Sequence, residues 1–326
     1  MKEKPENRNS PLVSVIIPAW NCEGSLERAL RSVREQTYRP LEISVVNDGS
    51  TDGTDGVVRR FLTDRPGLEV AYSVQDNQGA SAARNAAVAA SRGELLCFLD
   101  ADDTLDPECV RVLVDYHRSY PEAGVISGGC RCREYDASGR LFRRGVFQNP
   151  ALEFLPPERA FPTLFVRNLL GMISVLVRRD VFERSGGFDS ALSNCVDLDF
   201  WLRISPWSAF LLVPEVLGTV EKSPSGLTRD SGGISRNMLK VLFRHRRELF
   251  REHPRQAAAI FRRARATAHL LSFACCRPPA RIVHLLGLLL TAPSLVFSRP
   301  ARKRLYAYRS TFRPLPLKEE KEEEDG

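Results

Sequence analysis

The sequence of 326 residues lacks several features that would each point to a particular class of protein. Its eight cysteines form no Cys-x-x-Cys pair, so we predict reduced thiols and neither a zinc ribbon nor a disulfide framework. All five histidines lie at or after His117, which leaves the earlier part of the chain without a nitrogen ligand for zinc. The residues after the first predicted strand, Pro18-Ala19-Trp20-Asn21, contain no glycine, which argues against the G-x-G-x-x-G loop of a nicotinamide enzyme.

Long apolar runs are also missing. Residues 282–297 are mostly apolar, but these 16 residues include Pro293 and fall short of the about 20 that a membrane-crossing helix needs. We therefore predict a segment that lies in a membrane interface or re-enters it. Residues 1–10 contain no apolar run, which predicts a disordered N-terminus without a secretory signal, so we expect a cytosolic protein.

Residues 1–235 have no excess of positive charge and carry a net negative charge, whereas a strong positive excess lies near the end of the chain. Residues 236–317 contain 18 Lys or Arg and only two acidic residues, and 318–326 contain six acids. We predict a basic helical C-terminal region over 236–317 and an acidic disordered tail. Basic residues beside an apolar segment favour an anionic membrane surface over nucleic acid, for which no recognition module is present. The alternative is a pair of core helices with a solvated basic face.

The chain does contain a repeated unit of strand, loop and helix. β-Branched or apolar runs of strand length are each followed by a polar loop and then by apolar residues at helical spacing. This alternation predicts an α/β fold with a mostly parallel sheet and helices on both faces, so that the loops meet at one edge of the sheet. The predicted strands are 13–17, 43–46, 68–72, 94–99, 123–128 and 174–178, with a hairpin turn at 136–139.

The fourth strand runs directly into Asp100-Ala101-Asp102-Asp103. Carboxylates this close raise one another's pKa unless a cation stands among them, and oxygen ligands suit Mg2+ or Mn2+. The alternative is a solvated turn that caps the next helix, with Asp103 and Asp106 as local turn residues. The residues by themselves favour neither interpretation.

Other polar residues fall in the preceding loops. Trp20 offers a flat face on which a base could stack. Asp48 could accept a hydrogen bond from a base, although an Asx turn is the commoner role for Asn-Asp-Gly. Arg84 lies one turn into the third helix, where it could face a phosphate or solvent.

Four motifs occur in an order and at a spacing that match a known family. They are Ser14-Val15-Ile16-Ile17-Pro18-Ala19-Trp20-Asn21, Asn47-Asp48-Gly49-Ser50-Thr51-Asp52, Asn77-x-Gly79-x-Ser81-x-Ala83-Arg84-Asn85 and Asp100-Ala101-Asp102-Asp103. Over about residues 11–230 the chain resembles the family 2 glycosyltransferases of GT-A fold, of the bacterial polysaccharide and cell-envelope type. The resemblance implies a GT-A domain over 11–235, with a nucleotide-binding part at 11–128 and an acceptor part at 129–235.

This resemblance implies an inverting transfer of a sugar from a nucleotide-diphosphate sugar, usually a UDP-sugar, to a hydroxyl of a glycan or lipid-linked acceptor. It also implies that Asp102, helped by Asp100, holds Mn2+ or Mg2+. Residues 197–203 resemble the second acidic motif of the family, which places the general base on Asp197. On the same grounds we expect a peripheral enzyme at the inner face of the cell membrane. The residues that would bind the nucleotide sugar are Pro18, Ala19, Trp20, Asn21, Asp48, Asn77, Gly79, Arg84, Asp100, Ala101 and Asp102.

Two positions depart from the family pattern. Val196 stands where the family usually has an acid, and Glu221-Lys222-Ser223 replaces a loop that often contains Arg and His. Lys222 could restore the positive charge near the diphosphate. The departures keep open a catalytically silent protein that binds nucleotide sugars. A nucleotidyltransferase of similar fold, which would release pyrophosphate and not UDP, is a further alternative.

Overall fold

The computed structural model describes residues 10–64, 67–166, 170–222, 231–275 and 312–314, so the predictions for residues 1–9, 282–297 and 318–326 lie outside the described residues. The strands are Val13–Ala19 (β1), Leu41–Asp48 (β2), Glu69–Gln75 (β3), Leu95–Phe98 (β4), Thr104–Leu105 (β5), Ala123–Tyr135 (β6), Leu141–Phe147 (β7), Glu153–Leu155 (β8), Val175–Arg178 (β9), Ala209–Lys222 (β10) and Phe312–Pro314 (β11). The helices are Leu26–Arg34 (α1), Thr54–Thr63 (α2), Ala80–Ala89 (α3), Cys109–Ser119 (α4), Pro157–Val166 (α5), Arg179–Ser185 (α6), Val196–Ile204 (α7), Ser231–Glu252 (α8) and Ala257–Cys275 (α9).

The first four long strands form a parallel sheet in the order β3-β2-β1-β4. Successive residues of β1 face opposite sides of the sheet, as the pleat of a strand requires. Val15 and Ile17 belong to a hydrophobic cluster with Leu30 of α1, whereas Ile16 belongs to another with Ala83 and other residues of α3. The predicted α/β fold with helices on both faces of the sheet is confirmed.

Beyond β4 the sheet becomes mixed. β9 pairs antiparallel with both β4 and β6, and β7 pairs antiparallel with β6 across the predicted turn at 136–139. β10 runs parallel to β6 with several register shifts, one of which follows Leu212. Sequence patterns did not predict β10, because Pro214 and Gly218 interrupt its apolar run, and such residues are usual in strands only at edges and irregularities.

The C-terminal helices are part of the same hydrophobic core. α8 packs on α7 and α9, and α9 packs on α5. In the sequence, Met238, Leu242, Leu249 and Phe250 recur at a spacing that predicts one apolar stripe of a helix. Met238, Leu242 and Leu249 are buried in one cluster with Trp201, as this stripe predicts. Phe250 was predicted to belong to that stripe, and this is wrong, since the residue is 45% exposed. No helix among the described residues has the length and hydropathy that a membrane span requires.

Candidate functional site

The loops that follow β1 and β2 are joined at the carboxyl edge of the sheet. The Asn21 backbone N–H donates to Ser50 Oγ at 3.0 Å, and Asn21 Oδ1 accepts from the Thr51 backbone N–H at 2.8 Å. Asn21 itself has a left-handed backbone (φ 45°), which asparagine tolerates better than most residues. The first and second loops therefore form one unit.

Three more predicted nucleotide contacts lie beside this unit. Trp20 is 49% exposed, which leaves a large part of its ring surface accessible to a ligand. Pro18 and Ala19 are the last two residues of β1, and both are buried. Only their backbone is therefore in a position to approach a bound nucleotide.

Asp48 connects the second loop to the third. Its buried carboxylate accepts hydrogen bonds from Gln75 Nε2 at 2.7 Å and from the backbone N–H groups of Gln78 and Gly79 at 2.9 and 2.8 Å. The local turn is instead made by Asn47, whose Oδ1 accepts from the Ser50 N–H at 3.0 Å. Asp48 thus orders the residues that precede α3, and a carboxylate with about four acceptor positions keeps one for a ligand.

Gly49 allows the second and third loops to come this close. Its backbone is left-handed (φ 70°), and a Cβ atom there would lie 2.8 Å from the backbone nitrogen of Asn77. Gly79 also has a positive φ of 89° and directly precedes α3. Asn77, between them, is exposed. A glycine at position 49 is therefore required by space as well as by backbone conformation.

Arg84 and Asp100 form an ion pair. Arg84 is only 8% exposed, and its guanidinium also lies over the Phe188 ring, 5.9 Å from the ring centroid. Its buried Nε has no hydrogen-bond partner among the described residues. The predicted diphosphate contact of Arg84 therefore competes with a carboxylate of the acidic motif itself.

Asp102 and Asp103 lie in a negatively charged environment. Burial, followed by the charge of Asp100, raises the pKa of Asp102 to about 6, although much of the residue's surface is accessible. The same two causes raise the pKa of buried Asp103 well above its ordinary value, despite a hydrogen bond from the Glu221 N–H at 3.1 Å. Arg28 Nη2 donates to the Asp102 carbonyl oxygen at 3.3 Å and offsets part of this effect. The ionised carboxylates would be stabilised by a further cation.

The acidic motif is suited to a metal ion that is shared with a ligand. Among the described residues, no group of three or more His, Cys, Asp or Glu side chains is arranged to hold a metal ion. Mg2+ at nucleotide sites commonly takes one or two carboxylates and completes its coordination with phosphate oxygens and water. Asp102 with Asp100 fits this type of site and does not form a closed protein cage.

Lys222 lies at the end of β10, where its Nζ is 3.6 Å from Glu134 Oε1 on β6. A diphosphate contact by Lys222 would therefore have to replace this ion pair. Glu221, its neighbour, has a backbone contact with Asp103, which places this end of β10 beside the acidic motif.

Asp197 lies in the first turn of α7 and is half-buried. The segment before α7 packs on α3, because Asn85 donates to the Phe188 carbonyl and accepts from the Phe188 N–H, both at 2.9 Å. The Phe188 ring lies against the ring of Phe200, with 4.7 Å between centroids. These contacts link Arg84 to α7 within one turn of Asp197, whose role as base stays a prediction.

Asp199 is the most enclosed carboxylate of this region, with no exposed surface. It accepts from Arg203 Nε at 2.9 Å and Arg244 Nη1 at 3.0 Å, and it lies 3.1 Å from His245 Nε2. Burial by itself would raise its pKa, but hydrogen bonds from His245 and Arg203 lower the pKa to about 2. The local sequence does not reveal these contacts, since the partners of Asp199 on α8 lie 45 or 46 residues away.

Known proteins resemble this chain in sequence. The sequence model of the family described as glycosyl transferase family 2 matches residues 14–166. Chondroitin synthase of Escherichia coli is 30% identical over 212 residues, which are 64% of this chain and 29% of that protein. These matches confirm the predicted resemblance to glycosyl transferase family 2. Hyaluronan synthase of Pasteurella multocida is 29% identical over 201 residues, 61% of this chain and 19% of that protein. The chain spans less than a third of the length of these two relatives.

Solved structures show the same fold. Residues 1–349 of Staphylococcus aureus TarS, in complex with UDP-GlcNAc, superpose with a TM-score of 0.61 at 16% identity, covering 92% of this chain and 87% of that one. The mannosyltransferase PcManGT from Pyrobaculum calidifontis, in complex with GDP-Man and Mn2+, gives a TM-score of 0.56 at 21% identity and covers 94% and 87%. The likeness confirms the predicted GT-A fold of this chain, and the roles of individual residues stay predictions.

Proposed function

We propose that this chain transfers a sugar, with inversion, from a nucleotide-diphosphate sugar to a hydroxyl of a glycan or lipid-linked acceptor. One observation carries the proposal: Asn21 and Asp48 tie the loops after β1, β2 and β3 together at the edge of the sheet where the acidic motif follows β4. Ligands of open α/β sheets bind at this edge. A UDP-sugar is the favoured donor, since TarS binds UDP-GlcNAc and the relatives named above are polysaccharide synthases.

The exposed loops would bind the nucleotide. Trp20 stacks on the base, and the remaining acceptor position of Asp48 takes a base N–H. Lys222 exchanges Glu134 for a phosphate oxygen, and Arg84 keeps Asp100 in place beside the diphosphate. Two observations support these contacts: Arg84 is paired with Asp100 of the acidic motif, and Lys222 follows Glu221, whose N–H donates to Asp103.

Mn2+ or Mg2+ held by Asp102 and Asp100 would neutralise the negative charge that the leaving diphosphate gains in the transition state. Asp197 accepts the proton of the acceptor hydroxyl while that oxygen attacks the sugar from the face opposite the nucleotide. Since Val196 takes the place of the acid that usually precedes the base, Asp197 acts without that neighbour.

The test is a panel of UDP-glucose, UDP-GlcNAc and GDP-mannose with Mn2+ or Mg2+, in which release of the nucleoside diphosphate is measured with and without chelator. We expect release of UDP that chelator abolishes. Release of pyrophosphate would identify a nucleotidyltransferase. Tight binding of a nucleotide sugar without release of any product would identify a silent binding protein.

We also propose that α8 attaches the protein to the anionic inner face of the cell membrane, where a lipid-linked acceptor would be found. Phe243 and Phe250 are 47% and 45% exposed and lie two helical turns apart on α8, with exposed Arg247 between them. Aromatic and basic residues on one exposed face are typical of helices that lie in a membrane interface.

Flotation with vesicles tests this attachment. We expect the protein to float with vesicles that contain phosphatidylglycerol and not with neutral vesicles, and the double variant Phe243→Ser, Phe250→Ser to float less. Failure of the wild-type protein to float with anionic vesicles would reject the attachment, whatever the outcome of the donor panel.

A further inference from the structure

Side chains of α8 hold the loop and helix that carry Asp197. Arg244 Nη1 bridges two carboxylates, Asp189 Oδ2 at 2.7 Å and Asp199 Oδ1 at 3.0 Å. The neighbouring His245 lies 3.1 Å from the same Asp199 oxygen through its Nε2. Asp189 lies in the segment that connects α6 to α7, and Asp199 lies inside α7. Arg244 of α8 therefore holds both the connecting segment and the helix that follows it.

A third side chain of α8 holds the middle of the connection. Asn237 Nδ2 donates to Ser193 Oγ at 3.1 Å and to Asn194 Oδ1 at 2.7 Å. The next residue, Cys195, has a left-handed backbone (φ 56°, ψ 27°) and is the N-cap residue directly before α7. Such a conformation is unfavourable for a residue with a Cβ atom and persists only where its surroundings enforce it.

The same segment also contacts α3, which belongs to the predicted nucleotide-binding part of the chain. Asn85 of α3 holds the Phe188 backbone through two hydrogen bonds. Residues 188–199 are therefore held between α3, which also carries Arg84, and α8. Asp197 lies in this segment, two residues from the carboxylate that Arg244 and His245 contact.

We propose that Arg244, His245 and Asn237 are positioning residues that set the location of Asp197 relative to the acceptor hydroxyl. This inference rests on the proposed function. A general base must lie within about 2.6 to 3.2 Å of the group whose proton it accepts. A displacement of about 1 Å at a reacting group lowers a rate by up to about 100-fold. The buried charge of Asp199 transmits the position of α8 directly to the first turn of α7.

The decisive variants are Arg244→Met, which removes the bridge, and Arg244→Lys, which keeps a cation. The probe is the donor of the panel that releases nucleotide fastest. We expect Arg244→Met to lower kcat by about 10-fold or more while the Kd for UDP stays within about twofold, and Arg244→Lys to recover most of the kcat. Arg262→Met is the matched control, since Arg262 is an exposed arginine of the neighbouring helix α9, and its kcat should equal that of the wild type.

The background of Asp197→Asn separates positioning from general damage to the fold. If Arg244 acts through Asp197, Arg244→Met should cause no further loss of rate in that background. An equal loss in both backgrounds would overturn the inference. Asn237→Ala repeats the comparison without leaving a buried charge, should Arg244→Met fail to fold. If Asp197→Asn itself keeps full turnover, the proposed function fails instead, and the two failures are thereby distinguished.

Discussion

The nucleotide side and the base side of the candidate site are built from contacts of different range. On the nucleotide side, Asn21 meets Thr51 and Asp48 meets Gly79 at separations of 30 and 31 residues, one strand and helix unit apart. On the base side, Asn85 meets Phe188 across 103 residues. Repetition of one unit therefore assembles the first side, whereas the second depends on how distant parts of the chain pack.

The two sides also shift the pKa of a carboxylate in opposite directions. Burial and the charge of Asp100 raise the pKa of Asp102 to about 6, because too little positive charge stands beside it. Burial has the same tendency at Asp199, but hydrogen bonds from His245 and Arg203 lower its pKa to about 2. The acidic motif is therefore suited to accept a cation, whereas the charge of Asp199 is already neutralised by side chains of the protein.

Replacement of the base should have the largest effect. Asp197→Asn keeps the shape of the side chain but cannot accept the proton, so we expect turnover to fall by about 10²- to 10⁴-fold. Nucleotide release gives the rate and calorimetry gives the Kd for UDP, which should stay unchanged. Turnover equal to that of the wild type would show that Asp197 is not the base. The region around α7 could then no longer be called the base side of the site.

Replacement of Asp102, the proposed metal ligand, should weaken the binding of UDP and not only lower the rate of sugar transfer. We expect Asp102→Ala to weaken UDP binding in the presence of Mn2+ by about 100-fold, because the cation would lose its carboxylate. With chelator present, wild type and variant should bind UDP equally. Asp199→Asn is the control on the base side of the site, and its Kd for UDP in the presence of Mn2+ should match that of the wild type. A wild-type Kd for Asp102→Ala would refute the assignment of the metal to this residue.

Gly49→Ala tests the close contact between the loop after β2 and the loop after β3. The added Cβ would lie 2.8 Å from the Asn77 nitrogen in a left-handed backbone, so we expect a loss of about 2.5 kcal/mol in the free energy of unfolding. Urea unfolding measures the loss. Gly24→Ala is the matched control, since a Cβ atom there meets no atom within 4 Å, and a similar loss in that variant would contradict the steric explanation.

The buried cluster of α7 should make stability depend on pH in the acid range. The pKa of Asp199 in the folded protein is about 2, below the ordinary 3.8. This shift in pKa corresponds to about 2 kcal/mol in the free energy of unfolding. Its contribution is therefore present above about pH 4 and is lost as the pH falls towards 2. The stability difference between wild type and Asp199→Asn, measured by urea unfolding, should shrink over that range. A constant difference would show that ionisation of Asp199 does not contribute.

Local patterns in the sequence determined the parallel strands β1 to β4, the loops that end them and the turn at 136–139. Strand and helix periodicity and turn residues report the conformation of neighbours in the chain, and this is why they succeed there. Only the tertiary structure decided that Arg84 pairs with Asp100, that Asp48 holds Gly79 and that Asp199 meets α8. The partner of a buried charge depends on which surfaces pack together, and that packing is set by the whole core and by no local stretch of residues.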